Sequence, residues 1–212
     1  KASSYLSYQY TDRNNFEEIN STRLLQSTSS ALSQKSRTTY PAKNHYISFG
    51  TDVALNKKFN IAYDFKLSIN NNNSAARNDI DIINSANSVT GSNASAISNQ
   101  NTSVYTGNTV FAKYKIDSAG SEWTMQLDYN RYNYNNNQSY NNYYYQPQSP
   151  TLFGNGKNKN TKNIFAAQTD LTYKFKYGIT IETGFKTTIS GSNNSANYFL
   201  QQGTSETKAD SF

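Results

Sequence analysis

The sequence predicts an all-β fold, an antiparallel transmembrane β-barrel wall, from three observations. Long segments alternate strictly between apolar and polar residues. Their connections alternate between tight turns and long polar stretches. Two hairpin registers, deduced separately, agree on which residues share a face.

The clearest segment is 59–70. Phe59, Ile61, Tyr63, Phe65, Leu67 and Ile69 fall on one face, and Asn60, Asp64, Lys66 and Ser68 on the other. At about 3.3 Å per residue and a tilt near 40°, it climbs roughly 25 Å, the height of the apolar band on a membrane barrel. Strands of soluble sandwiches are shorter, usually about five or six residues. The six apolar residues are therefore expected to face lipid.

The same alternation places strands at 3–11, 44–54, 109–116, 122–132, 163–175 and 179–190. Trp123, Met125 and Leu127 join the lipid-facing set. Tight turns are expected at 56–58, 118–121 and 176–178, and long polar loops at 12–43, 71–108 and 133–162. Short turns at one rim and long loops at the other are the layout of an outer-membrane barrel. A three-residue turn at 176–178 sets Tyr173 against Ile181 and Thr172 against Glu182, with Gly178 supplying the positive φ. A similar turn at 56–58 sets Val53 against Ile61 and Phe49 against Phe65. Phe59, Tyr114, Trp123, Tyr173 and Phe175 gather near these turns on the apolar face, as an aromatic girdle would.

Mean hydropathy is −0.82, yet a barrel strand shows lipid only every second residue, so the average says little. No stretch approaches a transmembrane helix. With no cysteine, the chain has neither disulfides nor thiolate metal sites. The formal charge of +6 is spread rather than clustered. Lys57, Lys58, Lys157, Lys159 and Lys162 read as solvated loop charge, and no nucleic-acid partner is expected. The chain begins at Lys1 without a signal peptide, and residues 197–212 read as loop. The expectation is one segment, 1–212, of a single barrel domain, with its plug domain not in this sequence.

No catalytic constellation appears, so no enzyme and no cofactor are expected. His45, the only histidine, falls on the apolar face near its outer end. Asp79 and Asp81 could offer oxygen to calcium but lack the remaining ligands of a cation loop. Asp64, Asp128, Asp170, Glu182, Lys66, Lys113, Lys174 and Lys186 share the polar face and are expected to form charge pairs. The asparagine runs 70–73 and 133–137 read as solvated loop. The candidate contact for a ligand or partner is a loop cluster, Tyr140, Tyr143, Tyr144 and Tyr145, because an exposed tyrosine pairs a flat apolar ring with a hydroxyl.

Three motifs carry a resemblance. His45-Tyr-Ile-Ser-Phe-Gly-Thr-Asp52 runs into Leu55-Asn-Lys-Lys-Phe-Asn60; Tyr114-Lys-Ile-Asp-Ser-Ala-Gly-Ser-Glu-Trp123 follows; Gln168-Thr-Asp-Leu-Thr-Tyr173 pairs with Glu182-Thr-Gly-Phe-Lys186. Together they resemble the recurring hairpins of Bacteroidetes TonB-dependent receptors, with Trp123 where that family usually has Leu. The resemblance implies a barrel of about 22 strands in the bacterial outer membrane, embedded in its lipids and importing a ligand. It also implies TonB as partner through a plug domain, and a surface lipoprotein. Neither plug nor TonB box is matched by residues here. The alternatives are a secreted or surface all-β binding or adhesin-like protein, and a barrel subunit of a secretion or motility assembly without a transport role of its own.

Overall fold

The computed structural model describes residues 1–202 and 205–208. They form one nine-stranded antiparallel sheet with no helix among the described residues: β1 (Ala2–Leu25), β2 (Ser30–Ala54), β3 (Phe59–Asn72), β4 (Ser74–Ile83), β5 (Val89–Lys115), β6 (Glu122–Gln146), β7 (Gln148–Lys174), β8 (Thr180–Gln202) and β9 (Ser205–Lys208). Spatial order follows chain order, except that β3 and β4 lie end to end between β2 and β5. Among the described residues β1 has one neighbour, β2, so the sheet is open along that edge.

The expected registers hold. Val53 faces Ile61, Phe49 faces Phe65, Tyr173 faces Ile181 and Thr172 faces Glu182. Phe175 donates its N–H to the Ile179 carbonyl at 2.8 Å, which closes the turn that Gly178 enters at φ 79°.

The long connections are the main correction. Residues 12–43, 71–108 and 133–162 are not loops but the continuation of the strands, closed by hairpin tips at 26–29, 84–88 and around Pro147. Lys157, Lys159 and Lys162 accordingly lie in β7, and 197–202 and 205–208 lie in β8 and β9; 209–212 are outside the described residues. The physical reason is that an established ladder extends on backbone hydrogen bonds alone, while cross-strand amide and hydroxyl pairs replace apolar packing. Thr102 Oγ1 donates to Asn71 Oδ1 at 3.0 Å, Thr161 Oγ1 to Asn133 Oδ1 at 3.1 Å, and Gln138 Nε2 to Asn99 Oδ1 at 3.0 Å. Such polar strands carry no apolar alternation, which is the signal that marks a strand in sequence.

A strand as long as the 25 residues of β2 spans roughly 80 Å, about two and a half times the roughly ten tilted residues that a membrane crossing needs. Each strand therefore has a half beside the tight turns and a far half beyond it. In the turn-side half one face carries Leu6, Phe49, Ile61, Phe65, Leu127, Phe165 and Phe185, and the other carries Asp64, Lys66, Gln126, Asp128, Asp170 and Lys186. No second layer covers the apolar face: Leu6 is 75% exposed, Phe185 65% and Ile189 66%. A soluble protein rarely leaves so broad an apolar surface open.

In the far half the character of the faces inverts without any slip in register through β4 as far as Ile82. The face that was apolar now carries Lys35, Arg37, Arg77, Asp79, Asn135, Lys157 and Lys159. The opposite face carries Ile80, Ile82, Ile97, Tyr132, Tyr134, Tyr140 and Tyr198. The sheet thus has two tiers of opposite amphipathicity.

Candidate functional site: the aromatic face of the far tier

Tyr140, Tyr143, Tyr144 and Tyr145 do not form the expected loop cluster; all four lie in β6. Strand alternation splits them between faces. Tyr143 and Tyr145 stack at 6.4 Å and 3° on the charged face, whereas Tyr140 and Tyr144 take the opposite, aromatic face. Tyr140 stands directly across from Gly154, and a Cβ on that glycine would collide with the Tyr140 ring. From the other side Tyr198 of β8 stands across from Gly156, its Cδ1 2.9 Å from where a Cβ would be. Two rings therefore close from β6 and β8 over the Gly154-Asn155-Gly156 stretch of β7.

Sequence reasoning missed Tyr198, Gly154 and Gly156. Glycine inside a strand marks close approach to the backbone, but that signal is unreadable while the segment is taken for a loop. Around the platform lies an amide network. Tyr134 Oη donates to Asn101 Oδ1 at 2.8 Å, and Asn136 Nδ2 donates to Asn101 and Asn99. Tyr105 and Tyr132 meet at 4.7 Å with their rings tilted by 37°, nearer the turn-side half.

The other candidates resolve as follows. His45 shares the apolar face with Ile69; its Nδ1 lies 2.9 Å from Tyr8 Oη and its ring 4.9 Å from Tyr10. Asp79 pairs with Arg77 at 2.7 Å and Asp81 accepts the Ser92 hydroxyl at 2.7 Å. Among the described residues no three His, Cys, Asp or Glu side chains gather as a metal site would need. The polar-face charges sit on one face as expected, but their pairing differs. Lys113 meets Glu122 at 2.6 Å, while Asp64 accepts from Tyr5, Asp128 from Thr109 and Gln126, and Asp170 from Gln168. Thr109 reaches Asp128 from directly across the ladder, Gln126 and Gln168 reach the carboxylates two residues along on their own strands, and Tyr5 reaches Asp64 over Gly50 of the intervening strand. Phe59, Ile61, Tyr63, Phe65, Leu67, Ile69, Trp123, Met125 and Leu127 all lie on the one apolar face. Of the turn-side aromatics, Phe59 meets Tyr114 edge-on at 6.3 Å and Tyr173 meets Phe175 at 4.8 Å.

A groove of about 680 Å³ opens on the charged face of the far tier, lined by Glu18, Lys35, Arg37, Arg77, Asp79 and Ser98 among others. Its charges are largely spent on one another. Arg37 meets Glu18 at 3.4 Å and covers the Phe16 ring at 5.6 Å. The Asp79 carboxylate, with help from the Tyr145 hydroxyl, holds the Arg77 proton more tightly than usual. At the opposite rim, hydrogen bonds from Ser121 first, then from Ala119, hold the Asp117 carboxyl below the usual carboxylate range.

Comparison with known proteins adds one decisive finding. Residues 114–212 match the outer membrane protein beta-barrel family, a stretch that begins at the end of β5 and takes in β6 to β9. No curated protein is similar at a significant level. Among solved structures, the chain is similar to the copper transporter OprC at 9% identity and a TM-score of 0.22, over 94% of this chain and 43% of that one. The siderophore receptor PiuA from Acinetobacter baumannii matches at 6% and 0.19, over 94% and 44%. FpvA of P. aeruginosa, solved bound to pyoverdines, matches at 7% and 0.16, over 92% and 39%. The chain spans less than half the length of each. Family match and two-faced sheet together make this an all-β antiparallel chain of barrel type in the bacterial outer membrane.

Proposed function

We propose that this chain builds part of the wall of a larger outer-membrane receptor of the TonB-dependent kind, which takes a ligand up through a gated barrel without chemical conversion. The reading is supported by the inversion of the sheet's faces between its two tiers. A wall that only anchored would need the turn-side half alone, with Phe59, Ile61, Tyr63, Phe65, Leu67, Ile69, Trp123, Met125 and Leu127 toward lipid. The far tier adds an aromatic face on the side opposite the lipid surface, where a ligand descending into the barrel would meet it. Acidic and basic side chains on the turn-side polar face, such as Asp64, Lys66, Asp128 and Lys186, then line a hydrated passage. TonB and a surface lipoprotein are the partners this reading calls for.

The test is topological first. These 212 residues hold no cysteine, so Asn137→Cys in the far tier and Asn56→Cys in a tight turn each add one label, read against the unsubstituted protein. In intact cells a membrane-impermeant maleimide should label Asn137→Cys, and Asn56→Cys only after the outer membrane is permeabilised. A reversed pattern rejects the orientation. In a strain lacking the protein, uptake of one scarce nutrient from a defined panel should fall; unchanged uptake across the panel rejects the receptor reading.

A further inference from the structure

We infer that the rim of tight turns is a cationic belt that holds the phosphate groups of anionic phospholipids in the leaflet beside it, gripping most closely at a pocket bordered by Lys57, Lys58 and Lys115. This goes beyond the uptake reading and does not depend on it. The belt continues the uncovered apolar face into the headgroup plane, and three observations carry it.

The first is the order of residues along the chain. At each of the three turns an aromatic residue of the apolar face has a lysine beside it on the turn side: Lys58 precedes Phe59, Lys115 follows Tyr114, and Lys174 and Lys176 bracket Phe175. A ring at headgroup depth with an ammonium one residue further out is the arrangement a membrane boundary favours. These four lysines and Lys57 are all exposed. Lys115 and Lys174 end β5 and β7, so no wall lies beyond them and a four-carbon stem can carry its charge round the strand end. Successive turns lie two strands apart, so the three turns make a front about 20 Å wide.

The second is charge. Among the described residues none of the five lysines meets a carboxylate. The nearby acidic groups are turned elsewhere: Asp117 accepts the N–H groups of its own turn, Glu122 holds Lys113 at 2.6 Å, and Asp52 accepts the Asn60 amide at 2.7 Å. Glu182 stands further in, across from Thr172. Lys57, Lys58 and Lys115 border a single pocket of about 320 Å³. Like charges gathered there repel one another until an anion lies among them, and a phosphate offers oxygens to several ammonium donors at once.

The third is preorganisation. Lys58 Nζ donates to the Ile116 carbonyl at 3.0 Å, and the Lys115 N–H donates to the Lys58 carbonyl at 2.8 Å. The Lys174 N–H donates to the hydroxyl of buried Ser121 at 2.9 Å. Each turn is thus tied to its neighbour, and binding does not have to order the backbone that carries the charges.

The experiment uses the full-length protein in bilayer discs of phosphatidylglycerol and phosphatidylcholine with matched chains, and mass spectrometry reads which lipid stays with the protein after brief delipidation. Phosphatidylglycerol should be retained about tenfold over phosphatidylcholine, and the preference should shrink as salt rises. Lys57→Gln with Lys58→Gln, and separately Lys174→Gln with Lys176→Gln, should each reduce it about fivefold. The matching arginine pairs should keep it, and so should Lys157→Gln with Lys159→Gln in the far tier. Heat-resistant migration in gels checks folding. Unsubstituted protein gives a second reading: the fluorescence lost in Trp123→Phe should be quenched more when only the phosphatidylglycerol is brominated than when only the phosphatidylcholine is. Equal retention of the two lipids, a preference that survives both glutamine pairs, or equal quenching overturns the proposal. Displacement of the lipid by inorganic phosphate at matched ionic strength would make the pocket a site for a free anion. A soluble acidic peptide that displaces phosphatidylglycerol would make the rim a protein-docking surface, and either result also overturns the proposal.

Discussion

Asn73 donates its backbone N–H to the Pro41 carbonyl at 2.9 Å, and Pro41, having no N–H, returns no bond. That one-sided pair is why a single long strand appears as β3 and β4. Their registers against β2 and β5 continue unchanged on both sides of the gap. Asn73 recovers part of the loss by accepting the Asn101 N–H through its side-chain oxygen at 3.2 Å.

Pro41→Thr should therefore close the gap. The regained ladder bond contributes about 0.5–1.5 kcal/mol, and the freer unfolded chain takes back about 0.4–1 kcal/mol. Global stability should move by less than about 1 kcal/mol, while the new amide at position 41 becomes protected in hydrogen exchange. Exchange of that amide at loop rates would show that the proline is not the cause.

Phe65→Lys and Leu127→Lys should impair assembly far more than Lys66→Ala or Gln126→Ala. Phe65 lies between Phe49 and Asn108, and Leu127 between Val110 and Ala167, all on the uncovered apolar face. A lysine near the bilayer midplane costs about 2–4 kcal/mol, whereas trimming a polar-face side chain costs little. The yield of heat-resistant folded protein is the readout, and equal losses in the two classes would contradict the face assignment.

Trp123 is the only tryptophan of these 212 residues, so the fluorescence lost in Trp123→Phe reports on one place. Its Nε1 donates to Thr169 Oγ1 at 2.7 Å, and the ring remains 37% exposed beside the inner turns. In reconstituted bilayers, lipids brominated near the headgroup should quench it more strongly than lipids brominated near the chain end. Absence of quenching by either lipid would place the ring away from the membrane.

The turn-side half was legible in the sequence because a sheet with one uncovered apolar face imposes a strict demand on every second residue. Phe59 to Ile69 met that demand without a break, so strand, face and register could be read together. In the far tier Asn133 to Asn137 satisfy the ladder without any apolar alternation. The tyrosines were visible as candidates, but their separation into two faces depended on knowing that β6 continues through them. Tyr198 and the two glycines of β7 became meaningful only once the register set them side by side.

Asp117 accepts the N–H groups of Ala119 at 2.9 Å and Ser121 at 3.0 Å, capping the turn between β5 and β6. Its carboxyl is held below the ordinary value, about 3.9 for an aspartate. A lowered folded-state value means the contribution is present above that ordinary value and is lost as pH falls through the lower one. Protection of the Ala119 and Ser121 amides should thus persist through mildly acidic pH and disappear only below about 3.9. Asp117→Ala should abolish it at every pH; protection that survives the substitution would mean the cap lies elsewhere.

The continuity of the ladders from the tight turns to the far tips also bears on how such a mouth could close. A flap needs a hinge, and here a hinge would have to break cross-strand bonds in several neighbouring ladders at once, each worth about 1 kcal/mol. Among the described residues the interruption at Asn73 is flanked by unbroken β2 and β5, and the register shifts at Ile82, Ser92 and Asn142 lie beside the far tips. On the uptake reading proposed above, this part of the wall would stand as a funnel rather than a lid, with entry along it set by diffusion and any shutter swinging from a different element.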